Sequence, residues 1–220
     1  MSRLSIKDIY TIESIKKHET YEWLLHKHYL KRLPSISYCF GLFNAFKNLC
    51  GVITFGMSAN FHYNDGDCVF NNYKVYTLEL NRLCVNDNLK KNVLSYFVSQ
   101  SLKKLPKPTC IVSFADANKS HHGYIYQATN WIYTGRSSGK FRYTFDDGTT
   151  FDMNRFNESK GKVVKKEKMK RTYRYLFFHG TKKQKKKMLN SLKMKIQDYP
   201  KGANKRYNAD YKPKIQTKLF

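Results

Sequence analysis

A chain of 220 residues can bury one ordinary core, and 17 Tyr and 15 Phe within an apolar fraction of 41% exclude a disordered protein. Its 41 Lys and Arg stand against 16 Asp and Glu, a net charge of +25, which points to a polyanionic partner, nucleic acid being the common one. The opening MSRLSIKDIY has no apolar signal core and no apolar run reaches spanning length, so the expectation is a cytoplasmic protein without a membrane partner. Cys39, Cys50, Cys68, Cys84 and Cys110 are isolated and lack paired ligand spacing; in a reducing compartment such residues act as small core side chains.

In chain order, residues 6–12 read as a short strand. Ser14 has the position of an N-cap before residues 15–30, where Tyr21, Leu24, Leu25 and Tyr29 recur at helical spacing, and Pro34 ends that neighbourhood. SYCFGLF and LCGVITFGM form an antiparallel hairpin, followed by a polar, aromatic loop around Asn64-Asp65-Gly66-Asp67. VYTLELNRLCV, residues 75–85, is the longest strand candidate, and plain alternation puts Glu79 and Arg82 on opposite faces of it. Asn86-Asp87-Asn88 is the predicted cap of a helix whose face carries Val93, Leu94, Phe97, Val98 and Leu102, closed by Pro106 and Pro108.

Residues 109–137 are the stretch around which the chain is organised. A buried strand at 110–115 turns on Asp116-Ala117-Asn118-Lys119, then His121, His122 and Gly123 lead into a short helix at 124–130 and an extended run from Trp131. Strand, polar loop, helix and strand place side chains at the carboxyl end of a sheet, where ligands of α/β folds collect. An Asp-Gly hairpin at 141–153, an exposed stretch at 161–171, a last strand at 171–179 and a basic helix at 182–196 complete the order; from Pro200 the tail lacks periodicity and is expected to be mobile unless bound.

The fold class is therefore α/β, a mixed sheet with helices on both faces, and 75–115 is a crossover of the right length for a parallel pair. Charge divides the chain: after Glu158 there are 21 basic against 3 acidic residues, before Ser159 only 20 against 13. Residues 1–158 are expected to form the main domain and 159–220 a basic extension of strand, Lys-rich helix and tail. In that helix Lys182, Lys183, Lys185, Lys186 and Lys187 are read as phosphate contacts that position nucleic acid without reading its sequence, the alternative being a solvated face.

HYLKRLPSISYCFGLF, CGVITFG, LELNRLCVND, SFAD, HHGYIYQATNWIYTG, RYLFFHGTKKQKKK and DYPKG together cover nearly the whole chain. In this combination it resembles the Mom family of phage DNA-modification proteins, relatives of the GNAT acetyltransferases. The resemblance implies a GNAT-like sheet in an acyltransferase-like enzyme of the bacterial host's cytoplasm. Its substrate would be double-stranded DNA, in which adenine becomes a carbamoylmethyl derivative that escapes host restriction. Carried over onto matching positions, the site candidates are His28 with Tyr29, Arg82, Ser95, Asp116, Tyr126 and Tyr133.

Each has a plain alternative reading. Arg82 is otherwise a strand-end surface arginine, Asp116 a turn cap, Tyr126 and Tyr133 core aromatics, and Ser95 a solvated helix serine. His121 and His122 diverge as neighbours; Asp116 with one of them and His28 would make only part of a metal site, and no metal is assigned. Tyr63, Tyr73, Trp131 and Tyr207 are candidate stacking platforms for an extruded base. Where acetyltransferases carry a glycine-rich pyrophosphate loop, this chain reads VNDNLKKN, so the donor set becomes Lys90, Lys91, Asn92 and Ser95. Acetyl coenzyme A and a glycyl group carried on tRNA are both open as donors. An acetyltransferase of another substrate and a non-catalytic nucleic-acid-binding protein are the alternatives to the main reading.

Overall fold

The computed structural model describes residues 5–58, 63, 66–137, 139–153, 161–203 and 211–214; Asn64, Asp65 and Tyr207 lie outside the described residues. The strands are β1 (Tyr10–Ser14), β2 (Tyr38–Asn44), β3 (Leu49–Gly56), β4 (Tyr76–Val85), β5 (Thr109–Ala115), β6 (Ile132–Arg136), β7 (Phe141–Phe145), β8 (Thr150–Met153), β9 (Val163–Lys168) and β10 (Tyr173–His179). The α-helices are α1 (Ile6–Ile9), α2 (Val93–Lys103), α3 (Tyr124–Ala128) and α4 (Lys182–Asn190). Seven strands form one sheet in the order β1-β2-β3-β4-β5-β10-β6, and β8-β7-β9 form a separate three-stranded ribbon. Within the large sheet only β4 and β5 run parallel, as the 75–115 crossover predicts.

Helices cover both faces. On one, Val93, Phe97 and Leu102 of α2 and Tyr126 of α3 pack on Leu78, Leu80, Ile111 and Tyr175. On the other, Trp23 and Leu24 cover Val52 and Cys84, while Met188 of α4 covers Cys110, Val112, Leu176 and Phe178. Because β10 lies between β5 and β6, residues 173–179 are interior to the sheet, so the jump in charge at residue 158 does not coincide with a break in the fold.

Five local readings of the sequence are corrected. Residues 6–12 are not one strand: Ile6–Ile9 is a helical turn after Ser5, and the strand begins at Tyr10. Residues 15–30 do not form one amphipathic helix: Ser14 ends β1, Lys17–Thr20 is a 3₁₀ turn and Trp23–Lys27 a π-helical turn. The wider turn buries Trp23, Leu24, Lys27 and His28 and leaves Tyr21 and Leu25 at the surface, a different stripe from the 3.6-residue one. Asn92, not Asn86-Asp87-Asn88, caps α2; its φ of +68° is in the left-handed region that asparagine tolerates, and Asp87 instead accepts a 2.7 Å bond from buried Lys27. Helix α4 stops at Asn190, where Ser191 and Lys193 bond back to the segment at 69–71. The tail's described parts are held: Gln127 donates to the Pro200 carbonyl, and Tyr211 donates to Glu22.

Candidate active site

The parallel pairing of β4 and β5 lasts four residues, Tyr76–Glu79 against Thr109–Val112, and beyond it the strands part. Ser113 spans the opening, with its hydroxyl 2.8 Å from the Leu80 carbonyl and 2.7 Å from the Tyr126 phenol. The carbonyl can only accept, so the serine proton goes to Leu80 and the phenol donates to Ser113. Burial pushes the Tyr126 phenol well above its ordinary value, with Tyr29 and Glu79 close enough to add to the effect. Tyr126 therefore stays protonated near neutrality and gives its proton to the Ser113 hydrogen bond.

A β-bulge decides where Arg82 points. Gly56 and Phe55 pair with Glu79 and Leu80, but Thr54 pairs with Arg82, so Asn81 is an extra residue. Thr54 donates to the Asn81 side-chain carbonyl at 2.6 Å, and the Asn81 amide donates to the Ser35 carbonyl at 2.7 Å, which pins the bulge. The extra residue reverses the alternation. Leu78 and Leu80 face α2 before it, Leu83 and Val85 after it, and Arg82 with Cys84 turns to the opposite face. Glu79 and Arg82 thus share a face, contrary to plain alternation.

The guanidinium is 7% exposed, donates to the Asn81 carbonyl at 2.6 Å, and leaves its Nε without a hydrogen-bond partner among the described residues. No described carboxylate lies within ion-pair distance of it. Burial, with Arg32 nearby, holds its pKa below the ordinary value. A buried arginine without a carboxylate has strong unmet capacity for an anionic or carbonyl oxygen.

The π-helical turn closes with the His28 amide donating to the Trp23 carbonyl at 2.8 Å, and so delivers His28 and Tyr29 to the same place. Their rings stack at 4.5 Å, and Tyr29 meets His121 edge-on at 5.9 Å. Burial, then Arg82 and His121, depress the His28 pKa to about 3, while burial and Asp116 push Tyr29 to about 12. The Leu30 amide donates to His28 Nδ1 at 3.2 Å, so the neutral ring carries its proton on Nε2 and offers a donor. Asp116 accepts from the Asn118 amide at 2.8 Å and from its side chain at 2.9 Å, capping the turn at Ala117–Lys119. Its cap reading and its place beside Tyr29 hold together.

His28, Arg82 and Asp116 thus gather around Tyr29, which in turn lies near Tyr126, with Glu79, Arg32 and Ser113 added by the structure. Ser113 reads from sequence as one more residue of a buried strand and carries no signal of its role. His121 was legible in the polar loop. Tyr133 stands apart: its ring contacts Tyr175 at 5.2 Å, and Tyr175 in turn contacts Tyr126 at 5.1 Å. Lys90, Lys91 and Asn92 are exposed in the turn before α2, and Ser95 donates to the Asn92 carbonyl at 3.0 Å. Lys182, Lys183, Lys185, Lys186 and Lys187 are exposed on α4, which starts just after His179, the partner of Thr109 at the end of the sheet away from Asp116. Trp131 is 0% and Tyr63 6% exposed, so neither is a surface stacking platform; Tyr73 is half-buried. Among the described residues, no three His, Cys, Asp or Glu side chains are placed to hold a metal ion, and no helix is long and apolar enough to cross a membrane.

The mixed sheet parts between its two parallel strands, with a protonated phenol at the gap and a buried arginine near Tyr29, the frame of an α/β enzyme. The Mom protein family matches residues 9–201, and the chain belongs to that family, which makes it a phage-type DNA-modification enzyme. It is 28% identical over 190 residues to the methylcarbamoylase Mom of Escherichia phage Mu, covering 80% of this chain and 77% of that one. Among solved structures it is similar to the spermidine/spermine N-acetyltransferase SpeG of Vibrio cholerae, at 9% identity and a TM-score of 0.44, covering 79% of this chain and 95% of that one. A GNAT-family acetyltransferase of Bacillus cereus gives 12% identity and a TM-score of 0.40, covering 79% and 98%.

Proposed function

We propose that this protein converts adenine in duplex DNA to its carbamoylmethyl derivative in the cytoplasm of a bacterial host, protecting phage DNA from restriction. The observation that carries the reading is Arg82, a buried guanidinium with no ion-pair partner among the described residues, turned by a bulge to the side of His28 and Tyr29. Chemistry on an exocyclic amine needs the base out of the stack, and the parted strands offer the place for it.

The first step is acyl transfer. The adenine amino nitrogen attacks the donor carbonyl, a C–N bond forms, and the donor's C–O or C–S bond breaks. Arg82 and the Nε2–H of His28 stabilise the oxygen on which charge develops. Asp116 accepts the amine proton and Tyr126 donates one to the leaving group. Lys90 and Lys91 hold donor phosphates as point charges in the turn before α2.

A glycyl group carried on tRNA supplies both carbons and the nitrogen of the product. Its own amine then attacks C6 and the original amino nitrogen departs as the amide, which balances the carbamoylmethyl group. An acetyl thioester lacks that nitrogen. Hydrolysing DNA from cells that express the chain and weighing the nucleosides tests the reading: a deoxyadenosine carrying one carbamoylmethyl group is expected. Unmodified deoxyadenosine alongside acetylated RNA or protein would replace it with an acetyltransferase of another substrate.

A further inference from the structure

A second basic feature lies on the same end of the sheet as Asp116. Where β6 ends, Gly135, Arg136, Arg171, Arg174, Lys195 and Gln197 line a concave site of about 510 Å³. Three guanidiniums are fixed there by neutral acceptors. Arg174 donates through Nε to the Thr134 hydroxyl at 2.9 Å, through Nη2 to the Thr134 carbonyl at 2.8 Å and through Nη1 to the Tyr63 hydroxyl at 3.2 Å. Arg136 donates to the Tyr173 hydroxyl at 3.0 Å and lies over that ring at 4.7 Å. Arg171 donates to the carbonyls of Ser137 and Arg136.

Such bonds orient the forks without neutralising them. The ion pairs among the described residues are Lys27–Asp87, Lys47–Glu13, Arg142–Asp152 and Lys165–Glu167, and none of them reaches this site. Ordered guanidiniums in a concavity, with no ion pair among the described residues, are the arrangement that binds phosphate.

Position decides which phosphate. Tyr173 is the β-partner of both Ala115 and Arg136, so the residue preceding Asp116 and the edge of the basic site lie in one row across three strands. Two strand spacings amount to about 10 Å, roughly three nucleotides along one DNA strand at about 3.4 Å each. The lysines of α4 start at the other end of the sheet. We infer that the site formed by Arg136, Arg171, Arg174 and Lys195 grips a backbone phosphate of the substrate DNA within a few nucleotides of the adenine being modified. The inference rests on duplex DNA being the substrate. It gives the basic charge a definite anchor next to the chemistry, which α4 does not provide.

The test measures binding of a fluorescent duplex against salt concentration, using the full chain. R136Q/R171Q/K195Q removes three exposed charges and keeps Arg174, which ties β6 to Tyr63; K7Q/K16Q/K17Q removes three exposed charges beside the opposite edge strand, β1. Each phosphate contact contributes about 0.9 to the slope of log affinity on log salt. The first variant should be shallower than the second by about 0.9 or more, with circular dichroism unchanged in both. Equal slopes would overturn the inference, as would failure of the wild type to bind duplex DNA. Binding of inorganic pyrophosphate that the first variant loses while keeping its DNA slope would assign the site to a free phosphorylated ligand instead. A slope difference in a protein that leaves adenine unmodified would keep the phosphate site and remove the proposed activity.

Discussion

Replacing Tyr126 by Phe separates the phenol's chemistry from its packing. The ring is 8% exposed and contacts Trp131 at 5.0 Å and Tyr175 at 5.1 Å, and all of that survives the change. What is lost is the hydrogen bond given to Ser113, whose own proton still goes to the Leu80 carbonyl. The group left short of a partner is one acceptor lone pair, so the stability cost is about 1 kcal/mol. Loss of a positioned proton donor lowers a rate by roughly 10² to 10⁴, equivalent to about 3 to 5 kcal/mol of barrier. The two effects differ in size, and denaturant unfolding read beside nucleoside mass analysis resolves them. A folded Tyr126→Phe protein that modifies adenine at the wild-type rate would refute the assignment of the phenol as donor. Ser113→Ala distinguishes orientation from chemistry, since it removes the bridge to Leu80 but keeps the phenol, and should reduce the product less.

Arg82→Met should abolish the product while leaving stability equal or higher by about 1–3 kcal/mol, because a buried guanidinium with no ion pair among the described residues is replaced by an apolar side chain; a marked fall in Tm would show that Arg82 is structural. His28 has a folded pKa of about 3 against an ordinary 6.5, so the unfolded chain binds the extra proton between these values. The stability this contributes is present above about pH 6.5 and lost as pH falls toward 3, on the order of 3 kcal/mol between pH 7 and 4. In urea titrations at both pH values, His28→Gln should lose that part of the slope; an unchanged slope would contradict the buried neutral ring. Neutralising Lys182, Lys183, Lys185, Lys186 and Lys187 as Gln should weaken DNA binding with Met188 still in the core, whereas deleting residues 180–220 should unfold the protein because Met188 is 0% exposed. Supplying labelled glycyl tRNA or labelled acetyl coenzyme A with DNA should transfer label to adenine from the RNA; label from the acetyl compound alone would end the glycyl proposal.

The parts of this molecule legible in its sequence are those set by simple periods. Residues 75–85 and 109–115 are runs of β-branched, aromatic and leucine side chains at strand length, and the crossover between them has the right length for the parallel pair that forms. Features that break the period were not legible. Asn81 looks like any polar strand residue, yet as a bulge it reverses every side chain after it and turns Arg82 to the face of Trp23 and Cys84. Residues 15–30 fit a helical stripe on paper, but the π-helical turn buries Trp23 and Lys27 and sets His28 at the opening. Both departures lie beside the candidate site, where strained or irregular backbone is most expected. Tyr133, named alongside Tyr126 from the resemblance, is separated from it by the Tyr175 ring, a relation that depends on β10 entering between β5 and β6.

The start of α2 bears on the donor in the same way. The turn has no glycine between Val85 and Val93, which by itself suggests that the backbone bend of a pyrophosphate loop is missing. The bend is nevertheless made, because Asn92 takes the left-handed conformation at φ +68° and ψ −3°. What asparagine does not reproduce is the bare surface: a Cβ and an amide stand where a glycine would let phosphate oxygens approach the backbone. Ser95 in addition turns its hydroxyl back to the Asn92 carbonyl. The loop is therefore shaped to begin a helix, and any phosphate it holds is held by Lys90 and Lys91 as outlying point charges, not by an enclosing cradle of amides. That is a weaker and less selective grip than a small coenzyme needs. It suits a donor whose affinity is spread over many phosphates, as on a tRNA, against a protein of charge +25.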